Sequence, residues 1–183
     1  MLTVALRSRA QANRWPAGVV IHDVTSRGPE PWVKFSPFYP HGGIPVPFTP
    51  GRTAMSVEGI WQALKVFADD DVDESKLDVT TMRGLKRTER RYGRTLGHRC
   101  GLNDSGELLS YVEARRKIYL PSYRWVLDHC IGRLVDKLRA EAKRHPVVLL
   151  DYTTNGNVED THRPLSHAAL VVRYLENDWP GER

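Results

Sequence analysis

The chain has 183 residues, 40% hydrophobic and 27% charged, proportions that exclude wholesale disorder and leave enough apolar surface for a core. No apolar run approaches the ~20 residues of a membrane span, and the stretch to Arg14 lacks the apolar centre and cleavage site of a secretory signal. Lysine and arginine outnumber aspartate and glutamate 27 to 22, a formal charge of +5, which favours an anionic partner: a nucleotide, a phosphorylated metabolite or nucleic acid.

Taken in order, Val19–Val24 is β-branched and bounded by Gly18 and the Ser26-Arg27-Gly28 turn, the pattern of a short strand. Pro29, Pro31, Pro37, Pro40, Pro45, Pro47 and Pro50 predict mostly irregular chain from Arg27 to Arg52. A helix follows over Ser56–Phe67, with Ser56 as N-cap and Val57, Ile60, Trp61, Leu64 and Phe67 on one apolar stripe. The acidic run Asp69–Glu74 ends it. From Thr81 to His98 the chain turns basic, and a helix there would carry Arg83, Arg87, Arg90 and Arg94 on one face. Gly101, Asn103 and Gly106 mark a turn before a helix over Glu107–Tyr119, which Pro121 breaks or kinks. A longer helix carries Tyr123, Val126, Leu127, Cys130, Ile131, Leu134 and Leu138 and stops before Pro146. Val147–Tyr152 reads as the clearest strand. The polar loop Thr153–Pro164 then leads to a last helix over Ser166–Glu176. The sum is a single α+β domain, mostly helical, with a few short strands.

No glycine-rich phosphate loop of either common pattern occurs. The histidines are scattered, and Cys100 and Cys130 are isolated, so no recognised zinc pattern forms. Neither a metal nor a cofactor is expected. Two cysteines are too few for a disulfide framework and fit a cytoplasmic address. The informative segment is the helix from Ser56. Glu58, Gln62 and Lys65 share a stripe, with Glu58 and Lys65 two turns and roughly 10 Å apart. A glutamate there can assist glycosidic cleavage by moving a proton. A lysine of lowered pKa can attack an anomeric carbon. The same spacing equally describes a solvated helix face.

Phe35-Ser36-Pro37-Phe38, followed by Ser56-Val57-Glu58-Gly59-Ile60-Trp61-Gln62-Ala63-Leu64-Lys65-Val66-Phe67, resembles the NADAR (YbiA-like) family. That family's signature is a Phe-Ser-x-Phe segment and then Ser-Glu-His-Tyr-Phe-Gln-Ala-x-Lys-Phe. The basic stretch from Gly84 to Arg94 is similar to the segment that follows that helix in the family. The likeness runs from Phe35 to Leu175, giving an N-terminal region over 1–34, a core over 35–176 and a tail over 177–183. Gly59 stands where the family has histidine, and Asn155-Gly156-Asn157-Val158-Glu159-Asp160 stands in place of its tryptophan- and glycine-bearing loop.

The resemblance implies hydrolysis of N-glycosidic bonds at ribose, on an ADP-ribosyl or phosphoribosyl adduct such as ADP-ribose on a guanine base or a riboflavin-pathway intermediate. Carried over, Glu58 is the catalytic carboxylate, Lys65 its nucleophilic or electrostatic partner, and Asp160 positions water or a ribose hydroxyl. Gln62 orients the ribose. Phe35, Ser36 and Phe38 wall the pocket, with Asn155 and Asn157 on the loop. Arg83 and Arg87 hold a phosphate if the basic face is not simply solvated. The partner is a ribosylated base or nucleotide-like molecule, free or on ADP-ribosylated DNA, with no membrane. The alternative is a non-catalytic ADP-ribose, nucleotide or nucleic-acid binding module.

Overall fold

In the computed structural model, which describes residues 1–11 and 15–181, the chain is mixed α+β, built of several short strands and helices. Glu182 and Arg183, the last two residues of the expected tail, lie outside the described residues. The fold divides into two compact units: one of residues 1–36 and 127–183, the other of residues 37–126. Among the described residues no helix is long and apolar enough to cross a membrane.

The first unit is organised by the strand over Val147–Asp151, apolar at its first four positions and buried at all five. Such a run suits a strand paired along both edges. Two parallel strands flank it: β1 (Leu2–Leu6), which pairs Leu2 with Val147 through Leu6 with Asp151, and β2 (Val20–Asp23), which pairs Val20 with Val147 through Asp23 with Leu150. β2 matches the predicted strand to within two residues. β1 carries no strong signal, because only Ala5 of its five residues is buried. On one face Ala5, Val148 and Leu150 pack with Trp15, Val19 and Ile21.

The last helix (His167–Leu175) packs on this sheet and keeps the predicted bounds. Its N-cap, Ser166, accepts from Ala169 N at 3.1 Å and donates from its hydroxyl to Asp151 Oδ2 at 2.7 Å. His167 extends the join, with Nδ1 at 3.1 Å from Asp151 Oδ2 and Nε2 at 2.8 Å from the Val24 carbonyl.

The second unit opens with a two-stranded pairing, β3 (Ile44–Pro45) against β4 (Thr53–Ala54); the proline-rich stretch before β4 is thus irregular except for β3 and a 3-10 turn over Trp32–Phe35. Helix α1 spans Val57–Ala63, and Ser56 caps it by accepting from Gly59 N at 3.0 Å. The expected helix to Phe67 is corrected here: Leu64 closes α1, and Lys65–Phe67 form strand β5. The carbonyls of a helix's last turn need partners, and distant residues supply them. Asp73 N donates to Ala63 O and Arg99 N to Leu64 O, both at 2.9 Å, while Arg87 Nη1 donates to Gln62 O at 3.0 Å. β5 pairs antiparallel with β6 (Thr95–His98), setting Lys65 opposite His98, with a bulge between Val66 and Phe67.

The basic stretch is not one helix. Only Glu89–Tyr92, α2, is helical within it, so Arg83, Arg87, Arg90 and Arg94 share no helical face. Gly84 and Gly93, both at positive φ, punctuate the segment where a helix would have to continue.

The helix predicted over Glu107–Tyr119 begins later, as α3 (Tyr111–Ala114), opened by a reciprocal cap between Ser110 and Glu113. It widens into a π-helical turn over Arg115–Tyr119 and runs on as α4 (Leu120–His129), the helix that crosses from the second unit into the first. Pro121 therefore does not end the helix. The wide turn before it absorbs the missing N–H, and Ser122 Oγ donates to Ile118 O at 2.7 Å. The single long helix expected next is instead divided at Cys130–Ile131. Helix α5 runs over Gly132–Ala142, and with it the sheet strand Val147–Asp151 is β7 and the last helix is α6.

Candidate functional site

Glu58 sits in the first turn of α1, 8% exposed, with its backbone N–H on the Pro37 carbonyl at 2.9 Å. Gln62, one turn on, donates from Nε2 to Glu58 Oε1 at 2.9 Å. The amide cannot face the other way, because Arg87 N donates to Gln62 Oε1, also at 2.9 Å. A backbone N–H thus fixes which end of Gln62 meets the carboxyl. Burial pushes the Glu58 carboxyl up to about 7, against the pull of the Gln62 hydrogen bond and the Lys86 and Lys65 charges. At neutral pH that carboxyl is poised between donating and accepting a proton.

Lys65 reaches this neighbourhood from β5 rather than from the helix. It is half-buried, its ammonium is 5.0 Å above the Phe67 ring, and burial lowers its pKa. The Glu89 and Glu58 carboxylates oppose that shift, and Arg87 adds to it. Each of Glu58 and Lys65 thus feels the other's charge. Lys86, exposed and 5.6 Å from the Phe38 ring, adds a second ammonium within reach of Glu58.

Arg87 is the buried member of the basic stretch, and its guanidinium serves the chain itself. It donates to Gln62 O at 3.0 Å, Lys65 O at 2.6 Å and Asp70 Oδ2 at 2.9 Å, and also to Asp71 O. It ties the end of α1, the start of β5 and the acidic run together. Arg83 is exposed, its backbone N–H on Thr81 Oγ1 at 3.3 Å.

The remaining predicted site residues belong to the first unit, apart from Phe38. Phe35 is fully buried with its ring 6.2 Å from that of Trp32, and Ser36 is buried. In the loop after β7, Asn155 donates from Nδ2 to the Asp160 and Arg163 carbonyls, both at 3.1 Å, and accepts from Asn157 N at 2.9 Å. Asn157 accepts from Glu159 N at 3.0 Å, and Asp160 from His162 N at 3.0 Å. These polar side chains organise the loop's own backbone. The geometry therefore brings together Glu58, Gln62 and Lys65.

Gly59 has a reason of its own. A β-carbon there would lie 2.6 Å from the Lys76 carbonyl, so the position next to Glu58 admits no side chain. Beside α1, sequence reasoning missed His98, which is fully buried, with its ring centroid 4.0 Å from that of Trp61. Trp61 also meets the edges of Tyr111 and Tyr119. A lone histidine at the end of a basic stretch carries no pattern that would have drawn attention to it.

A family model matches residues 5–171 of the chain. The chain belongs to the DUF6939 family, a family of unknown function. No curated protein and no solved structure matches it. In the second unit the Glu58 carboxyl, the Gln62 amide and the Arg87 backbone N–H form one chain of hydrogen bonds, with Lys65 and Lys86 charges acting on the carboxyl.

Proposed function

We propose that the chain is an N-glycoside hydrolase acting on an ADP-ribosyl or phosphoribosyl adduct. The observation that carries this reading is the buried Glu58 carboxyl, raised to about 7 and coupled to the Lys65 amine. A carboxyl of that proton affinity protonates a departing base and is left as a carboxylate beside the positive ribosyl centre. An amine whose pKa is lowered by burial gives up its proton more readily than an exposed lysine, which suits it to capture or stabilise that centre. Gln62, held by Arg87, fixes the carboxyl's orientation. The roles given to Asp160, Asn155, Asn157, Phe35, Ser36 and Phe38 rest on the resemblance to the NADAR family alone. A cytoplasmic address accompanies the reading, since Cys100 and Cys130 are free thiols.

The test is release of base from an ADP-ribosylated guanine substrate, presented both free and on DNA. Glu58→Gln and Lys65→Ala abolish release while leaving the fold intact. Full turnover by either variant overturns that residue's role. Calorimetric binding of ADP-ribose with no base released from either substrate transfers the reading to the non-catalytic binding module.

A further inference from the structure

Two cations act on the Glu58 carboxyl, Lys86 and Lys65, and the pull of Lys86 is the stronger. Lys65, in the reading above, is kept for the reacting carbon. Arg87 is occupied by the chain itself, through the Gln62, Lys65 and Asp71 carbonyls and Asp70 Oδ2. Lys76 is occupied too, donating to the Gly84 carbonyl at 3.1 Å and pairing with Asp73 at 3.7 Å. Lys86 has no such duty. Among the described residues its ammonium makes no hydrogen bond or ion pair, and it rests instead over the Phe38 ring, 5.6 Å from the centre.

The chain fixes the root of that side chain and leaves its head mobile. Leu85 and Arg87 are buried on either side of it, while Lys86 itself is exposed. The Arg87 N–H belongs to the peptide bond that leaves Lys86, and it is the donor that holds Gln62 Oε1 at 2.9 Å. The Pro37 carbonyl belongs to the peptide bond that enters Phe38, and it accepts from Glu58 N at 2.9 Å. Both backbones are therefore tied to the Glu58–Gln62 turn, and their side chains meet. A cation resting on a half-buried ring is weakly held, so an anion displaces the ring readily. A compact ammonium on a flexible stem meets a phosphoryl group as a point charge with three donors.

We propose that Lys86 is the substrate's phosphate anchor, leaving the Phe38 ring to bind the phosphoryl group on C5 of the ribose. The proposal rests on the reading given above, in which the ribosyl group lies at Glu58, and it narrows the substrate to sugars phosphorylated at that carbon. Phosphoribosyl and ADP-ribosyl adducts both carry the group, and a plain nucleoside does not. The phosphate role that the basic stretch suggested for Arg83 and Arg87 thereby passes to the residue between Leu85 and Arg87.

The experiment uses methyl ribofuranoside 5-phosphate, which has no aldehyde to react with an amine, and methyl ribofuranoside as its uncharged counterpart. By calorimetry the wild type binds the phosphorylated sugar more tightly than the plain one by about tenfold, the lower range for a hydrogen bond to a charged group. Lys86→Gln removes that preference and leaves the plain sugar's binding as it was. Lys86→Arg, which keeps the charge, restores most of it, and Arg90→Gln, which removes an exposed charge from α2, changes nothing. In the wild type, peptide mass spectrometry also shows that the sugar phosphate slows acetylation of Lys86 and the plain sugar does not, a readout that needs no variant to fold. Equal affinity of wild type and Lys86→Gln for the sugar phosphate, an equal loss in Arg90→Gln, or no protection of Lys86 overturns the anchor alone. A single-stranded oligonucleotide that protects Lys86 as well as the sugar phosphate does also overturns it, since the contact is then with a nucleic-acid backbone. Lys86-dependent binding of the sugar phosphate with no base released from either guanine substrate removes the hydrolase reading and leaves the anchor standing.

Discussion

Glu58→Gln removes an ionisable carboxyl from the interior while keeping its shape and its hydrogen bond from Gln62, so its effect on stability isolates the proton. The folded carboxyl titrates at about 7 against a reference of 4.5. Between those values the folded chain holds a proton that the unfolded chain has released, and stability falls as pH rises. The contribution is fully present below 4.5 and is lost by the time pH has passed about 7. At about 1.4 kcal/mol for each pH unit, the loss comes to about 3 kcal/mol. For a chain of this size that corresponds to about 6–12 °C in Tm. Urea unfolding of wild type and variant at several pH values between 4.5 and 8 measures it. The variant gains on the wild type by about 3 kcal/mol across the series. His98, depressed to about 3, works in the opposite sense, adding stability as pH rises towards 6.5, but it is common to both proteins and cancels in the difference. Two profiles that run parallel would show that the folded carboxyl titrates at its ordinary pH, and the argument for a poised acid would fail.

Arg87→Met strands the Gln62, Lys65 and Asp71 carbonyls; the expected loss is on the order of 3 kcal/mol by chemical denaturation, and a loss below about 1 kcal/mol would show that the tie is not structural. Gly59→Ala drives a methyl to within 2.6 Å of the Lys76 carbonyl and should lower stability by on the order of 2 kcal/mol; an unchanged midpoint would show that α1 shifts freely. For His167, burial depresses the imidazole's proton affinity, but the Asp151 charge and hydrogen bond, with the Val24 carbonyl and Asp23, outweigh it and leave the pKa raised. Its stabilising effect is therefore present below 6.5 and fades as pH climbs through the folded value. The gap between wild type and His167→Gln should narrow between pH 6 and pH 9, and a gap that widens over that range contradicts the sign.

The first unit was legible where local pattern and environment agree. Val147–Leu150 is apolar at consecutive positions because both edges of β7 are paired, and Ser166 caps α6 as its side chain predicts. The same holds for Ser56 at the start of α1. Where the pattern failed, tertiary partners had overruled it. Leu64 and Phe67 continue one helical stripe in the sequence and Lys65 another, yet α1 stops because Arg87, Asp73 and Arg99 take its terminal carbonyls. No one-dimensional spacing encodes that. Arg87 read as one of four arginines on a face either solvated or holding a phosphate, since nothing in a basic stretch marks which arginine is buried. Pro121 read as a break or a kink because a π-helical turn leaves no periodic trace in so short a segment. Of the candidate site, the Glu58–Gln62 pair was visible as one helical turn, whereas the approach of Lys65 from a strand and the presence of His98 depend on the pairing of β5 with β6.

The way α1 ends has a bearing on how this neighbourhood is assembled. A short peptide carrying residues 56–67 has no means of halting at Leu64, since the groups that stop it arrive from residues 73, 87 and 99. Lys65 thus takes its place opposite His98 only after the chain through β6 has closed over the helix end. Removing the groups that end the helix is thus enough to return Lys65 to the helix without touching Lys65 itself.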